Sequence, residues 1–174
     1  MKKIIYFISL LLINISLFSC SSDDDLNYQS DFEKSKNTWI DFKASSNNSY
    51  QYVVTGSSFL ISSRWETTIT ISNGVVIQRD FEYLGAPEYF PKAELKWTEN
   101  ENEINSHQNS FAASPLTLDE IYAKAENDWL IKRKNTTTYF ETKNNGLIST
   151  CGYDTKGCMD DCFTGITIKS ITSL

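Results

Sequence analysis

The chain has 174 residues, with 16 Lys and Arg against 22 Asp and Glu, a formal net charge of -6. So acidic a chain is a poor nucleic-acid binder, since phosphate contacts need clustered Lys and Arg, and no nucleic-acid partner is expected. Aromatic residues make up 13% of it, which argues for a packed core and against disorder.

Lys2 and Lys3 precede an uncharged run from Ile4 to Phe18, and Ser19 stands just before Cys20. A basic start, an apolar middle and a small residue at the cut describe a secretory signal peptide over residues 1–19. The run is about fifteen residues, short of the roughly twenty that cross a bilayer. Leu17-Phe18-Ser19-Cys20 resembles a lipobox. That resemblance implies cleavage before Cys20, acylation of its thiol, palmitate included, and the membrane as a partner through the lipid anchor. Loss of the leader leaves 14 basic against 22 acidic residues, a net charge of -8.

Residues 20–29 read as a flexible tether, reaching roughly 30 Å if extended at ~3.3 Å per residue. Within it, Ser21-Ser22-Asp23-Asp24-Asp25 resembles the acidic signal that sends lipoproteins to the outer cell surface in one phylum of Gram-negative bacteria. The location implied is the bacterial outer membrane, lipid-anchored, on the cell surface. The periplasmic face is the alternative.

Residues 30–174 are expected to form a single α+β domain. Ser30-Asp31-Phe32-Glu33 fits a capping box, and Phe32, Trp39 and Phe42 would share one helix face. Tyr50 to Thr55 reads as a strand that Gly56-Ser57-Ser58 breaks. Trp65 to Ile71 alternates cleanly, and Ser72-Asn73-Gly74 turns it into a strand from Val75 to Tyr83. Apolar matching selects a three-residue loop here, placing Ile71 opposite Val75, Ile69 opposite Ile77 and Trp65 opposite Phe81.

Residues 84–115 are an irregular insertion, punctuated by Gly85, Pro87 and Pro91. Ala93 to Trp97 is a short-strand candidate, and Glu99 to Glu103 reads as a polar turn. Loops of this length are usually functional or mobile. Tyr89, Phe90 and Trp97 are therefore the candidate binding residues if the segment is a partner-binding excursion. The other reading is an extra hairpin whose aromatics fill the core.

Thr117-Leu118-Asp119-Glu120 forms a second capping box, with Leu116 stapling onto Ile121. Leu118, Ile121, Tyr122, Ala125 and Trp129 make the buried stripe, and Lys132-Arg133-Lys134 complements the helix C-terminus. Strands follow at Thr136–Thr142, Leu147–Cys151 and Gly165–Ile171. The whole predicts an antiparallel sheet of about five to six strands with two helices packed on one face.

Cys151, Cys158 and Cys162 remain besides the anchor. An envelope location permits disulfides, and three thiols suggest one bridge and one spare. A bridge from Cys151 to Cys162 would staple the neck of a loop and is preferred. Cys158 to Cys162 competes. No zinc or calcium ligand set has the required number and spacing, so no metal or cofactor is expected.

Trp39, Tyr50, Tyr52, the run Asn73 to Val76, the helix start Thr117 to Tyr122 and the Ile166-x-Ile168 strand together resemble a family of small exported bacterial lipoproteins that carries only a domain-of-unknown-function label. The layout also resembles secreted helix-on-sheet inhibitor domains of the β-lactamase-inhibitor type, by fold analogy alone. No nucleophile elbow or phosphate loop occurs, and no catalytic residue is assigned. The expectation is a non-catalytic binding module for an envelope protein or glycan. The alternatives are an accessory subunit of an outer-membrane complex and a hydrolase using two carboxylates.

Overall fold

The computed structural model describes residues 25–58, 63–85, 90–107 and 110–174. The expected signal peptide, the lipidation site Cys20 and Tyr89 lie outside the described residues.

Helix α1 spans Gln29–Ser45, two residues earlier than the Ser30 capping box predicts. Tyr28, in left-handed backbone, precedes it and no side chain caps it. The reason is tertiary: the chain is already docked. The Asn27 N–H donates to the Leu130 carbonyl at 2.7 Å, Lys132 N–H donates to the Asp25 carbonyl, and Leu26 bridges to Ile131. The tether expected to run through Gln29 therefore ends by Asp25. Glu33 accepts from Gln29 at 2.6 Å instead of reaching back to Ser30.

Strands β1 (Tyr50–Ser58), β2 (Ser63–Ser72), β3 (Val75–Tyr83) and β4 (Lys96–Asn100) form one antiparallel meander, with a one-turn helix α2 (Lys92–Leu95) before β4. Helix α3 (Leu118–Lys124) follows and opens into a π turn at Ala125–Trp129. Strands β5 (Thr136–Glu141), β6 (Thr150–Thr155) and β7 (Thr164–Ser173) form a second meander. Pairing of β1 with β7 joins both into one sheet of order β4-β3-β2-β1-β7-β6-β5. Among the described residues the sheet thus has seven strands, more than the five to six expected. The strand expected at Ala93–Trp97 lies later, over Lys96–Asn100, taking in two residues of the predicted polar turn, Glu99 and Asn100.

The β2–β3 connection also differs from expectation. Asn73 (φ 49°) and Gly74 (φ 82°) form a two-residue turn with Ser72 opposite Val75, the left-handed pair that a tight hairpin favours. A bulge at Ile77 then shifts the register, so that Thr67 faces Phe81, Ile69 faces Arg79 and Trp65 faces Tyr83. Parity between apolar faces has to be restored somewhere. The chain does it with an extra residue inside β3 rather than in the turn.

Tyr50, Tyr52, Ile69, Ile71, Cys151 and Ile168 are buried on one sheet face. Trp39 of α1 meets the Tyr50 ring edge-on at 5.3 Å and stacks on Tyr122 of α3 at 6.1 Å. The Tyr122 hydroxyl sits 2.7 Å from the Ser35 hydroxyl and accepts from Ile148 N–H, joining α1, α3 and the turn before β6. Burial pushes this phenol up to about 12. The predicted capping box of α3 is present, with Thr117 accepting from Glu120 N–H and Glu120 from Thr117 N–H. The whole predicted stripe of α3 is buried. In the π turn Leu130 N–H reaches the Ala125 carbonyl, and Ala125, Trp129 and Leu130 are all buried there. Beyond it Arg133 turns back to Asp128 and covers the Tyr153 ring at 4.4 Å.

β1 also fixes where α3 begins. The Tyr50 hydroxyl accepts from Leu118 N–H at 2.8 Å, and the Tyr52 hydroxyl donates to the Leu116 carbonyl. Tyr50→Phe leaves a buried N–H at the helix start without its acceptor, so a loss of about 1–3 kcal/mol is expected. Urea denaturation checks it, and an unchanged midpoint would contradict the assignment. Among the described residues no helix is long and apolar enough to cross a membrane.

Candidate functional site

The insertion folds inward. Arg79 of β3 and Glu99 of β4 face each other across the sheet and are both buried, with 4% and 0% of their side-chain surfaces exposed. Arg79 Nε lies 2.9 Å from Glu99 Oε2, and Nη2 donates to Oε1 at 3.1 Å. Glu99 further accepts from His107 N–H (2.6 Å), Asn105 N–H (2.9 Å) and the Ser106 hydroxyl. Arg79 donates to the carbonyls of His107 and Ala113. Burial pushes the Glu99 carboxyl up, but the His107 and Asn105 N–H groups and the Arg79 charge outweigh it and hold it below the usual carboxylate range. The pair is a post around which the main chain of the insertion is wound.

The predicted binding aromatics divide accordingly. Trp97 is 8% exposed, stacked between Phe81 (5.2 Å) and the His107 ring (4.2 Å), so it packs in the core instead of facing a partner. Phe90 is half-buried against Tyr83. Trp97 fits the extra-hairpin reading, while Phe111 of the same segment is exposed.

The cysteine loop is the second departure. Cys158 and Cys162 are the bonded pair, and Cys151 is free and buried. The preferred Cys151–Cys162 bridge is therefore corrected. It assumed that β6 ends at Cys151, but the strand runs to Thr155 and turns the Cys151 side chain into the core beside Ile166 and Phe140. Burial pushes its thiol up to about 12, far from a reactive thiolate. In the full chain carrying Cys20→Ser, maleimide labelling with intact-mass readout is expected to find no thiol in the native protein. Mild reduction should release two, and the third should appear only in denaturant.

The bridged loop leans on an open, mostly polar sheet face opposite the helices. Gly152 and Gly165 are directly paired across β6 and β7. A Cβ on Gly165 would lie 2.2 Å from the Cys151 carbonyl oxygen, and a Cβ on either glycine would lie within 2.8 Å of the Phe163 ring. The two glycines are thus the seat of Phe163, which meets Tyr139 edge-on at 6.2 Å. A hydrogen bond to Asp154 raises the Tyr139 phenol. From the other side, the Ser58 hydroxyl at the end of β1 donates to Asp161 at 2.8 Å. Gly56, predicted to break β1, lies inside it and offers a seat to the Trp65 indole.

Between this loop and the β1–β2 hairpin lies an open cleft of about 930 Å³. Its lining includes Arg64, Trp65, Leu84, Asp154, Met159, Asp160, Asp161, Phe163 and the ion pair of Glu66 with Lys169 (2.7 Å). Met159 is 91% exposed, and Leu84 and Phe163 are exposed too. Sequence reasoning assigned none of these residues to a site. Gly152 and Gly165 mark a loop or a strand end when read locally, and only their pairing reveals a seat for Phe163.

Comparison with protein-family models, with curated proteins and with solved structures finds no match for this chain.

Proposed function

We propose that this chain is a non-catalytic binding protein, held at the bacterial envelope by lipid on Cys20, that receives its partner in the cleft between the cysteine loop and the β1–β2 hairpin. The observation carrying this reading is the cleft itself. It combines exposed apolar side chains with charged ones on a face that the helices leave open, the composition expected of a binding surface. The buried carboxylate best shielded for acid–base work, Glu99, is committed to Arg79 and to main-chain N–H groups. That engagement favours a structural role for it over a catalytic one.

Two measurements test the two halves. Palmitate labelling should be lost in Cys20→Ser, and retention of label would remove the anchor. A photo-crosslinking residue placed at Met159 or Leu84 should give a defined adduct in intact cells. The same residue at Thr98, on the distant edge strand, should not. Equal adducts from all three positions, or none from the cleft, would remove the binding reading. An adduct to an integral outer-membrane protein would turn it toward an accessory subunit.

A further inference from the structure

Resting on the binding reading above, we infer that the cleft takes a polypeptide segment that carries lysine or arginine beside an apolar side chain. Charge sets the first requirement. Glu66 and Lys169 neutralise each other at 2.7 Å. That leaves Asp154, Asp160 and Asp161 of the lining against Arg64. Asp160 and Asp161 are exposed on the loop. A chain of net charge -6 adds a field of the same sign, which draws in cationic partners and repels anionic ones.

The apolar surface sets the second. Met159, Leu84 and Phe163 stand exposed around these carboxylates. Methionine is flexible and polarizable, suited to packing on varied side chains. A sugar ring asks instead for an open aromatic face. Here one face of Trp65 lies against Gly56 and its ring meets Phe111 at 4.9 Å, while Phe163 lies on the Gly152–Gly165 pair. Of these two rings only Phe163 stays exposed, and the Met159 thioether and the Leu84 aliphatic chain make up the other exposed large apolar side chains of the lining. Carboxylates beside such groups match a basic side chain next to an apolar one.

The test uses the full chain solubilised in detergent, probed against an array of short synthetic peptides of cationic, neutral and anionic composition and against a glycan array. Two variants accompany it: Asp160→Asn with Asp161→Asn, which keeps shape and the Ser58 contact, and Met159→Ser. Retention of cationic peptides with apolar neighbours is expected. The double variant should weaken it roughly tenfold, as loss of two exposed charge pairs allows. Added salt should weaken the native protein more than the double variant. Neutral or anionic peptides retained equally well, or cationic ones retained unchanged by both variants, would overturn the inference. Glycans retained in a Met159-dependent way would overturn the polypeptide assignment and leave the cleft as a binding site. Failure of both arrays together with absence of crosslinks from Met159 and Leu84 would end both readings.

Discussion

Glu99→Ala is expected to destabilise the protein by about 3–5 kcal/mol, because it strands the Arg79 guanidinium in the core. Arg79 has 4% of its side chain exposed and stacks 4.9 Å from the Trp97 ring, so water cannot replace the lost carboxylate without disturbing that packing. The same substitution removes the acceptor of the Asn105 and His107 N–H groups and loosens the insertion. Replacing both partners by apolar residues, Arg79→Met with Glu99→Leu, should be less damaging than Glu99→Ala alone, since no charge is then left buried. Urea denaturation of the single and double variants decides it. A double variant as unstable as the sum of the singles would refute the pair as the source of the effect.

The pair also predicts the direction of pH dependence. The folded Glu99 carboxyl lies below its ordinary range, so the unfolded chain takes up the proton first as pH falls. The contribution is fully present above the ordinary carboxylate range near 4.3 and is lost as pH falls through the folded value. Glu99→Gln should therefore differ most from the native protein near neutrality and least in strong acid. A difference that widens on acidification would contradict the assignment.

Gly165→Val is the second large effect, with an expected loss of about 3 kcal/mol or more. The new Cβ would lie 2.2 Å from a carbonyl oxygen and 2.5 Å from the Gly152 Cα, both main-chain atoms. No rotamer change relieves such a contact, so β6 and β7 must part. The backbone at φ +158° adds resistance of its own. Separation of these strands moves Phe163 from its seat and with it one wall of the cleft. Gly56→Ala should be milder, although its Cβ would lie 2.4 Å from its nearest neighbour, because that neighbour is the Trp65 ring, a side chain that can turn. Thermal unfolding ranks the two, and Gly56→Ala proving the worse would sink the distinction.

How far the sequence reaches depends on how far apart the interacting groups lie in the chain. The capping box of α3 joins residues three apart, and its stripe repeats within two turns. Both are legible locally and both are present. The alternation of β2 shows its buried face for the same reason, since period two is a property of the strand itself. A turn at Asn73-Gly74 is announced by its residue types, but the three-residue loop expected there is a two-residue one in the structure. Where the compensating bulge goes is not announced, because the turn and the strand offer equivalent solutions to parity.

Glu99 is the plainest failure of local reading. In a run of Glu and Asn it looks like a solvated turn, yet Arg79, twenty residues away, and the N–H groups of the insertion make it the most deeply buried carboxylate among the described residues. The cysteines follow the same rule. Spacing permitted both pairings, and the choice fell to where β6 ends, which is set by its partners β5 and β7. The cleft stands at the far end of this scale. Thr55 lies in β1, Leu84 just after β3 and Met159 between β6 and β7, and a sheet in which β1 pairs with β7 is what brings them to one place. Signals carried by neighbouring residues are thus set in the chain itself, while burial of a charge, choice of a thiol partner and assembly of a surface depend on contacts across the sheet that no local pattern records.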